Sequence, residues 1–527
     1  MRKHFTVWLI TLIGLMGMSG ASLQAQNPTS GTAGPLTWTY DTGTKTLTIS
    51  GQGDMPNYGW VNGTQTVAPW EAFLKTMELV VIKEGVTGIG RYAFFHAAKL
   101  DSVKLPSTLK RIGGNAFTYC PNLTLKKIPD GVQEIGAYAF NSSDKVALST
   151  LPADLQKVSA GAFNNCQGLT SVVIPAGVTK IENGAFAACE KLTAINVAAG
   201  NDHYISEDGI LFSKDKTVLV QYPAGQTATS YATPNHLKRI ENEAFNGCDN
   251  LTSITISTTI TSIGYGAFMN CNGLTSITIP SSVVAIGELP FAACYALTEI
   301  KVEGTNPAYT SVDGVLFDKA KKTLIQYPSG RSGNTYTIPS GVTVIGNSAF
   351  YGCKTLTSID IPNNVQDFGG STFSGTGLTS VTVPIGVSVI KSYLFDYCTE
   401  LTSVTLPAGI TEIEHEVFRS CKKLKDVTAR MQTPPNIQGK NLFEEVPLSD
   451  VTLTVPKGTV EAYKAAGWTG FKEYKEAAST FDVQPANFDL DDYQGAIRSI
   501  EITGDRAWKA TIEDGWGLFH NQSVPSE

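Results

Sequence analysis

Apolar residues recur along this chain with a fixed step: "CNGLTSITIPSSVVAIGELPFAAC" begins at Cys271 and ends at Cys294, and 23 residues separate the two thiols. Within one such unit, residues 251–273, the apolar positions are Leu251, Ile254, Ile256, Ile260, Ile263, Ala267, Phe268 and Cys271. "LTSITI" alternates and is rich in β-branched residues, which predicts a short strand with Ile254 and Ile256 inward and Ser253 and Thr255 outward. A proline often follows, as at Pro280, Pro362, Pro384 and Pro407, and ends the strand because it cannot donate to a ladder. The closing "xxAFxxC" segment has its apolar residues one to four apart and predicts a short helical turn packed on the strand.

All nine cysteines stand three residues after a phenylalanine, and Phe94, Phe140 and Phe373 keep the same phase with Ala97, Ser143 and Thr376 in place of the thiol. Self-similarity at this period is the signature of a solenoid, in which each unit buries its apolar side against its neighbours. The cysteines then fill one narrow interior column. Disulfides between coils are the alternative, but the count is odd and aligned side chains point the same way, so buried free thiols are expected.

The step is interrupted twice by enlarged units, at 192–227 and 297–332. Their inserts match, "YISEDGILFSKDKTVLVQYPAG" against "YTSVDGVLFDKAKKTLIQYPSG", and each reads as a β-hairpin projecting from the solenoid around a Lys-rich loop. Tyr204, Tyr222, Tyr309 and Tyr327 could present an aromatic recognition surface there or pack the hairpin onto the coil. A second candidate surface is the outward strand face, with Ser253, Thr255, Ser276 and Thr278 offering weak donors and acceptors to an extended ligand. Its plainer reading is a solvated face chosen for β propensity.

The consensus "LTSVTIPxGVTxIxxxAFxxCxx", seen at 169–191, 274–296 and 401–423, resembles the BspA-like leucine-rich repeats of exported bacterial proteins. The "DGVLFxKxKxTLIQYPxG" inserts, the opening "GPLTWTYDTGTKTLTISGQGDM" and the closing "VTLTVPKGTVEAYKAAGW" resemble the same family. The resemblance implies a right-handed α/β leucine-rich-repeat solenoid, located at the bacterial surface or secreted, with members acting as adhesins towards matrix proteins or cells. It carries over no binding residue, because the repeat is architectural. Lys126 and Ser149 depart from the repeat by standing where an apolar strand residue is expected, and would mark irregular coils.

The expected organisation is a signal peptide over 1–25, an N-terminal β cap over 26–76, leucine-rich repeats over 77–424, a C-terminal cap over 425–475, and a linker with an incomplete immunoglobulin-like or carbohydrate-associated β module over 476–527. The signal reading rests on Arg2 and Lys3, the apolar run "FTVWLITLIGLMGM" and the small residues after it, a run too short for a membrane span. No cysteine precedes Cys120, so lipid attachment just after the signal is not expected. A net charge of −7, without a basic stripe, argues against a nucleic-acid partner.

No phosphate-binding loop or nucleophile elbow is present. "HEVFR" at 415–419 starts like a zinc-protease helix but ends on Arg419, so the second histidine is missing, and Glu412, Glu414 and Glu416 read as solvated neighbours. His96, His203 and His236 lack metal-ligand spacing and read as surface or turn residues. No enzyme activity, cofactor or metal is expected. The leading expectation is an exported, monomeric binding protein for an extracellular protein or glycan, with no membrane span in the mature chain. The alternative is a non-catalytic scaffold of a surface assembly, with glycan handling as one setting and the contacts made by 476–527.

Overall fold

The computed structural model describes residues 28–61 and 64–477. The signal segment expected over 1–25, and the module expected over 476–527 apart from its first two residues, lie outside the described residues.

Each coil contributes to two parallel ladders. In the first, the "LTSITI" strands stack in register: Ser171–Ile174 on Ala194–Val197, Ser276–Ile279 on Glu299–Val302, and Ser380–Thr382 on Ser403–Leu406. The second is made of two-residue strands such as Arg111–Ile112, Glu134–Ile135, Lys157–Val158 and Lys180–Ile181. Inward-facing residues of the first ladder such as Val172, Ile195, Ile277 and Ile300 are buried, as the alternation predicts, and in the second ladder Ile112, Ile135 and Val158 are buried while Ile181 is half-buried. Where Lys126 and Ser149 interrupt the pattern both side chains remain exposed, and the first ladder thins to single bridges, Ser102 to Thr124, Leu125 to Val146 and Thr150 to Val173.

The third side of each coil differs from the expected helical turn. The residues two before and two after the spine phenylalanine take left-handed backbone conformations: Tyr138 and Ser142 around Phe140 (φ 56° and 55°), Gly266 and Asn270 around Phe268 (φ 55° and 60°). A left-handed residue cannot continue a right-handed helix. The segment therefore becomes a run of β-turns, with Ala267 N–H donating to Gly264 O and Cys271 N–H to Phe268 O. Alternate amides reach the next coil instead: Gly266 N–H to Glu288 O (2.9 Å), Phe268 N–H to Pro290 O (3.0 Å) and Asn270 N–H to Ala292 O (2.9 Å). One α-helix, Val460–Ala465, occurs among the described residues, and it lies in the C-terminal cap.

Phenylalanine rings stack along this wall. Phe94, Phe117, Phe140, Phe163 and Phe186 are spaced 5.1–5.6 Å between centroids. A second stack runs from Tyr222 through Phe245 and Phe268 to Phe291, and a third from Tyr327 through Phe350, Phe373, Phe395 and Phe418 to Phe443. Each enlarged unit thus starts a new stack with a tyrosine, and the buried apolar residues fall into three contiguous groups that change over at the same units.

The inserts do not project as hairpins. Tyr204–Glu207, Ile210–Ser213 and Val218–Gln221 form an antiparallel meander whose last strand lies in register beside Arg239–Ile240, taking a coil's place in the second ladder. Tyr309–Val312, Val315–Asp318 and Thr323–Gln326 repeat the arrangement. The reason is burial on both faces: Ile210, Leu211 and Phe212 are all enclosed, and so are Val315, Leu316 and Phe317. Such a strand has no side to offer water.

Both ends are covered. At the N-terminus the meander Ser30–Ala33, Leu36–Asp41 and Thr46–Gly51 passes into the first ladder through Leu79–Ile82. Trp70 starts the wall, its indole N–H donating to Ala93 O (2.8 Å) and its ring stacking on Phe94. At the C-terminus Tyr463 donates from its hydroxyl to Met431 O (2.9 Å), and Trp468 from its indole to Pro435 O (3.1 Å). The last strand among the described residues, Glu473–Glu476, pairs with Thr452–Val455.

Candidate ligand-contact surface

Two threonine columns begin the strands and are used internally. Thr193, Thr252, Thr275 and Thr298 each donate from the hydroxyl to the backbone carbonyl of the threonine one coil earlier (3.0–3.3 Å). Thr179, Thr261 and Thr411 do the same in the second ladder, to Gln156, Lys238 and Ser388. These hydroxyls join coils, a role the sequence reading missed because a threonine that bonds its neighbour reads like any β-former.

The next two outward columns are different. Ser253 and Thr255 lie exposed on one strand, and Ser276, half-buried, and Thr278, exposed, lie on the next. None of these four hydroxyls has a hydrogen-bond partner among the described residues. Across the ladder Ser276 aligns with Glu299 and Thr278 with Lys301, so the face carries neutral hydroxyls beside a charged pair (Lys301 Nζ to Glu299 Oε1, 2.7 Å). Backbone pairing holds each strand in register within its own two-stranded sheet, Ser253 beside Ser230 and Ser276 beside Glu299, at the ~4.8 Å strand repeat, and the four hydroxyls are left to bond water or a ligand.

The four tyrosines do not form the aromatic surface. Tyr222 and Tyr327 are buried in the spine, stacked on Phe245 and Phe350 at 5.1 Å, which removes them from any ligand. Tyr204 and Tyr309 are half-buried, and each hydroxyl accepts the backbone N–H of the preceding coil, Ile181 and Ile286 respectively (2.8 Å). That bond satisfies the amide at which the second ladder is interrupted.

All nine cysteines are free and buried. They are more than spacers: Cys166, Cys189, Cys271 and Cys421 donate from Sγ to the carbonyl of the spine phenylalanine one coil earlier, at 3.0–3.1 Å. Ser143 makes the same bond to Phe117 O at 2.6 Å. Burial pushes the Cys120 and Cys189 thiols up to about 12 and Cys398 up to about 11, the opposite of what a nucleophilic thiolate requires. We expect a thiol reagent to leave all nine cysteines of the native protein untouched and to label all nine in denaturant without reductant; rapid native labelling would contradict this burial.

The "HEVFR" segment also resolves differently from the expectation. Glu412 and His415 are exposed, but Glu416 is fully buried and ion-paired with Arg419, which forks onto Asp396 (Nε to Oδ1 2.9 Å, Nη2 to Oδ2 2.8 Å). The guanidinium also lies 5.3 Å from the ring centroids of both Tyr393 and Tyr397. It occupies the place of the missing histidine as a structural ion pair. Glu414 is half-buried and holds Ser392 through both its amide and its hydroxyl (2.8 Å). His96, His203 and His236 are exposed, and among the described residues no three His, Cys, Asp or Glu side chains converge to hold a metal ion.

At the first enlarged unit the turn wall is closed by Glu243, which lies across Gly184, where a Cβ would collide with its carboxylate. Burial pushes the Glu243 carboxyl above its ordinary range, against a hydrogen bond from Asn246 Nδ2 (3.2 Å). The neutral form is therefore favoured by folding, so its stabilisation is present at acid pH and lost as pH rises through the raised value. Glu243→Gln should become more stable relative to the wild type between about pH 4 and about pH 7, measured by urea unfolding; a difference that narrows over that window would contradict the assignment.

A family model described as the BspA type leucine rich repeat region matches residues 71–200, 224–332 and 329–448, in six copies. Among solved structures, a leucine-rich repeat protein from Eubacterium ventriosum is 27% identical with a TM-score of 0.48, over 73% of this chain and 92% of that one. A leucine rich cell surface protein from Faecalibacterium prausnitzii is 22% identical with a TM-score of 0.39, over 86% and 96%. The pneumococcal vaccine antigen PcpA is 16% identical with a TM-score of 0.39, over 85% and 98%. A search of curated proteins finds no match. No helix among the described residues is long and apolar enough to cross a membrane.

Proposed function

The chain belongs to the BspA-type leucine-rich-repeat family, and from that premise we propose that it is an exported, non-catalytic surface protein, an adhesin that holds an extracellular protein or glycan along its first strand ladder. One observation carries the reading: the outward hydroxyls of Ser253, Thr255, Ser276 and Thr278 have no internal partner, whereas Thr252 and Thr275 beside them bond the coil before. Each hydrogen bond from such a face contributes about 0.5–1.5 kcal/mol, so affinity comes from several contacts in register along an extended ligand. The deeply buried thiols and the isolated histidines support a role without chemistry.

The test is binding of the full chain to immobilised matrix proteins, glycans and whole cells at physiological salt, compared with a variant carrying Ser253→Ala, Thr255→Val, Ser276→Ala and Thr278→Val. The strand shape is kept and only hydroxyls are lost. The proposal expects the wild type to bind and the variant to lose about tenfold or more in affinity. Equal binding by both proteins, or no binding by the wild type, would overturn it. Deletion of 478–527 should leave this adhesion intact; the cut follows Ala477 because the strand Glu473–Glu476 and the bond from Ala477 N–H to Val455 O belong to the ladder.

A further inference from the structure

The two enlarged units leave unequal junctions on the turn wall. At the first, Glu243 fills the space over Gly184. At the second, the equivalent positions are Ser348 and Leu289, and the wall stays open as a groove of about 380 Å³. It runs past Tyr265 and Glu288, over Asn347, Ser348 and Ser371, to Ser392, Tyr393 and Glu414.

The lining has a distinct chemistry. Ser348 is only 6% exposed, yet its hydroxyl has no hydrogen-bond partner among the described residues, and it faces the groove. A hydroxyl without a protein partner, on a residue otherwise enclosed, leaves hydrogen-bonding capacity for a ligand in the groove. Asn347 accepts the Gly370 amide on its Oδ1 (2.6 Å), which directs its amide donors elsewhere. Tyr265 is 41% exposed, and Tyr393 is half-buried with Arg419 over its ring. Leu289 is the sole aliphatic residue in the lining, so a peptide with apolar anchors finds no seat. Lys391 is already paired with Glu414 (Nζ to Oε1, 3.5 Å), and Glu288 adds a further negative charge, so an anion is disfavoured.

We propose that this groove is an oligosaccharide-binding site for a neutral glycan, with Tyr265 stacking against the apolar face of one sugar ring and Ser348, Ser371, Asn347 and Glu288 receiving its hydroxyls. Aromatic rings beside carboxylate, amide and hydroxyl groups match a ligand whose rings alternate C–H faces with hydroxyl edges. The site is separate from the strand face and extends the binding function to a second surface.

Calorimetric titration of the full chain with maltohexaose, cellohexaose, chitohexaose and mannohexaose tests it. At least one sugar should bind, Tyr265→Ala should weaken it about tenfold, and Ser371→Tyr should abolish binding by filling the groove. Ser371→Tyr should fold, since Tyr138 and Tyr393 already stand at the same phase with φ of 56° and 62°; its thermal melt verifies this. No binding by any of the four sugars, or equal affinity in both groove variants and the wild type, overturns the inference while leaving adhesion through the strand face standing or falling on its own test.

Discussion

Phe268→Ala is expected to destabilise the protein by about 3–5 kcal/mol, because a fully buried ring is removed from between two others and the site cannot collapse. Phe268 stacks on Phe245 at 5.1 Å and on Phe291 at 5.5 Å. Backbone hydrogen bonds tie its coil to both neighbours, so closing the cavity would break those bonds. Phe268→Leu retains most of the volume and should cost less than about 1.5 kcal/mol. Equilibrium unfolding in urea measures both; a loss below about 1 kcal/mol for Phe268→Ala would mean the rings are not the spine of the coil.

Arg419→Ala should cost about 3–5 kcal/mol, for a different reason: it leaves Asp396 and Glu416 buried with no counter-charge. Their side chains are 9% and 0% exposed, against 15% for Arg419. Neutralising the whole cluster, with Arg419→Met, Asp396→Asn and Glu416→Gln together, should recover most of the loss, since what is costly is the unpaired charge rather than the absence of the ion pair. A triple variant as unstable as Arg419→Ala would show instead that the guanidinium acts through its packing on Tyr393 and Tyr397.

The spine and the first ladder were legible in the sequence because burial imposes the same demand on every coil, Phe at one phase and Ile or Val at others, whereas the two-residue strands of the second ladder are too short for alternation to mark. What alternation cannot report is the partner of a strand. Ile210, Leu211 and Phe212 read as one side of a hairpin, whereas the structure encloses them on both faces and inserts the meander into the second ladder. Helical spacing misled at the turn wall because residues one to four apart also fit successive β-turns. A signal was nevertheless present: among the described residues, none of the non-glycine residues with positive φ is Val, Ile or Thr, the side chains that fit that region worst.

The candidate surfaces divide in the same way. Outward Ser and Thr positions follow from strand alternation, so Ser253, Thr255, Ser276 and Thr278 were found. Which hydroxyls are already used depends on the spacing between coils, which separates Thr252 and Thr275 from their neighbours. The groove depends on a contrast between two equivalent junctions, Glu243 in one and Ser348 in the other, and pattern alone gives no reason to compare them.

The most direct test of the three-part spine is amide hydrogen exchange on Phe268→Ala, read by mass spectrometry along the whole chain. The account predicts lost protection concentrated between Val218 and Val302, in the stack that begins at Tyr222, with coils beyond Tyr327 and before Phe186 close to the wild type. Equal loss of protection from Leu79 to Val455 would contradict it, by showing that the enlarged units are not joints between stacks.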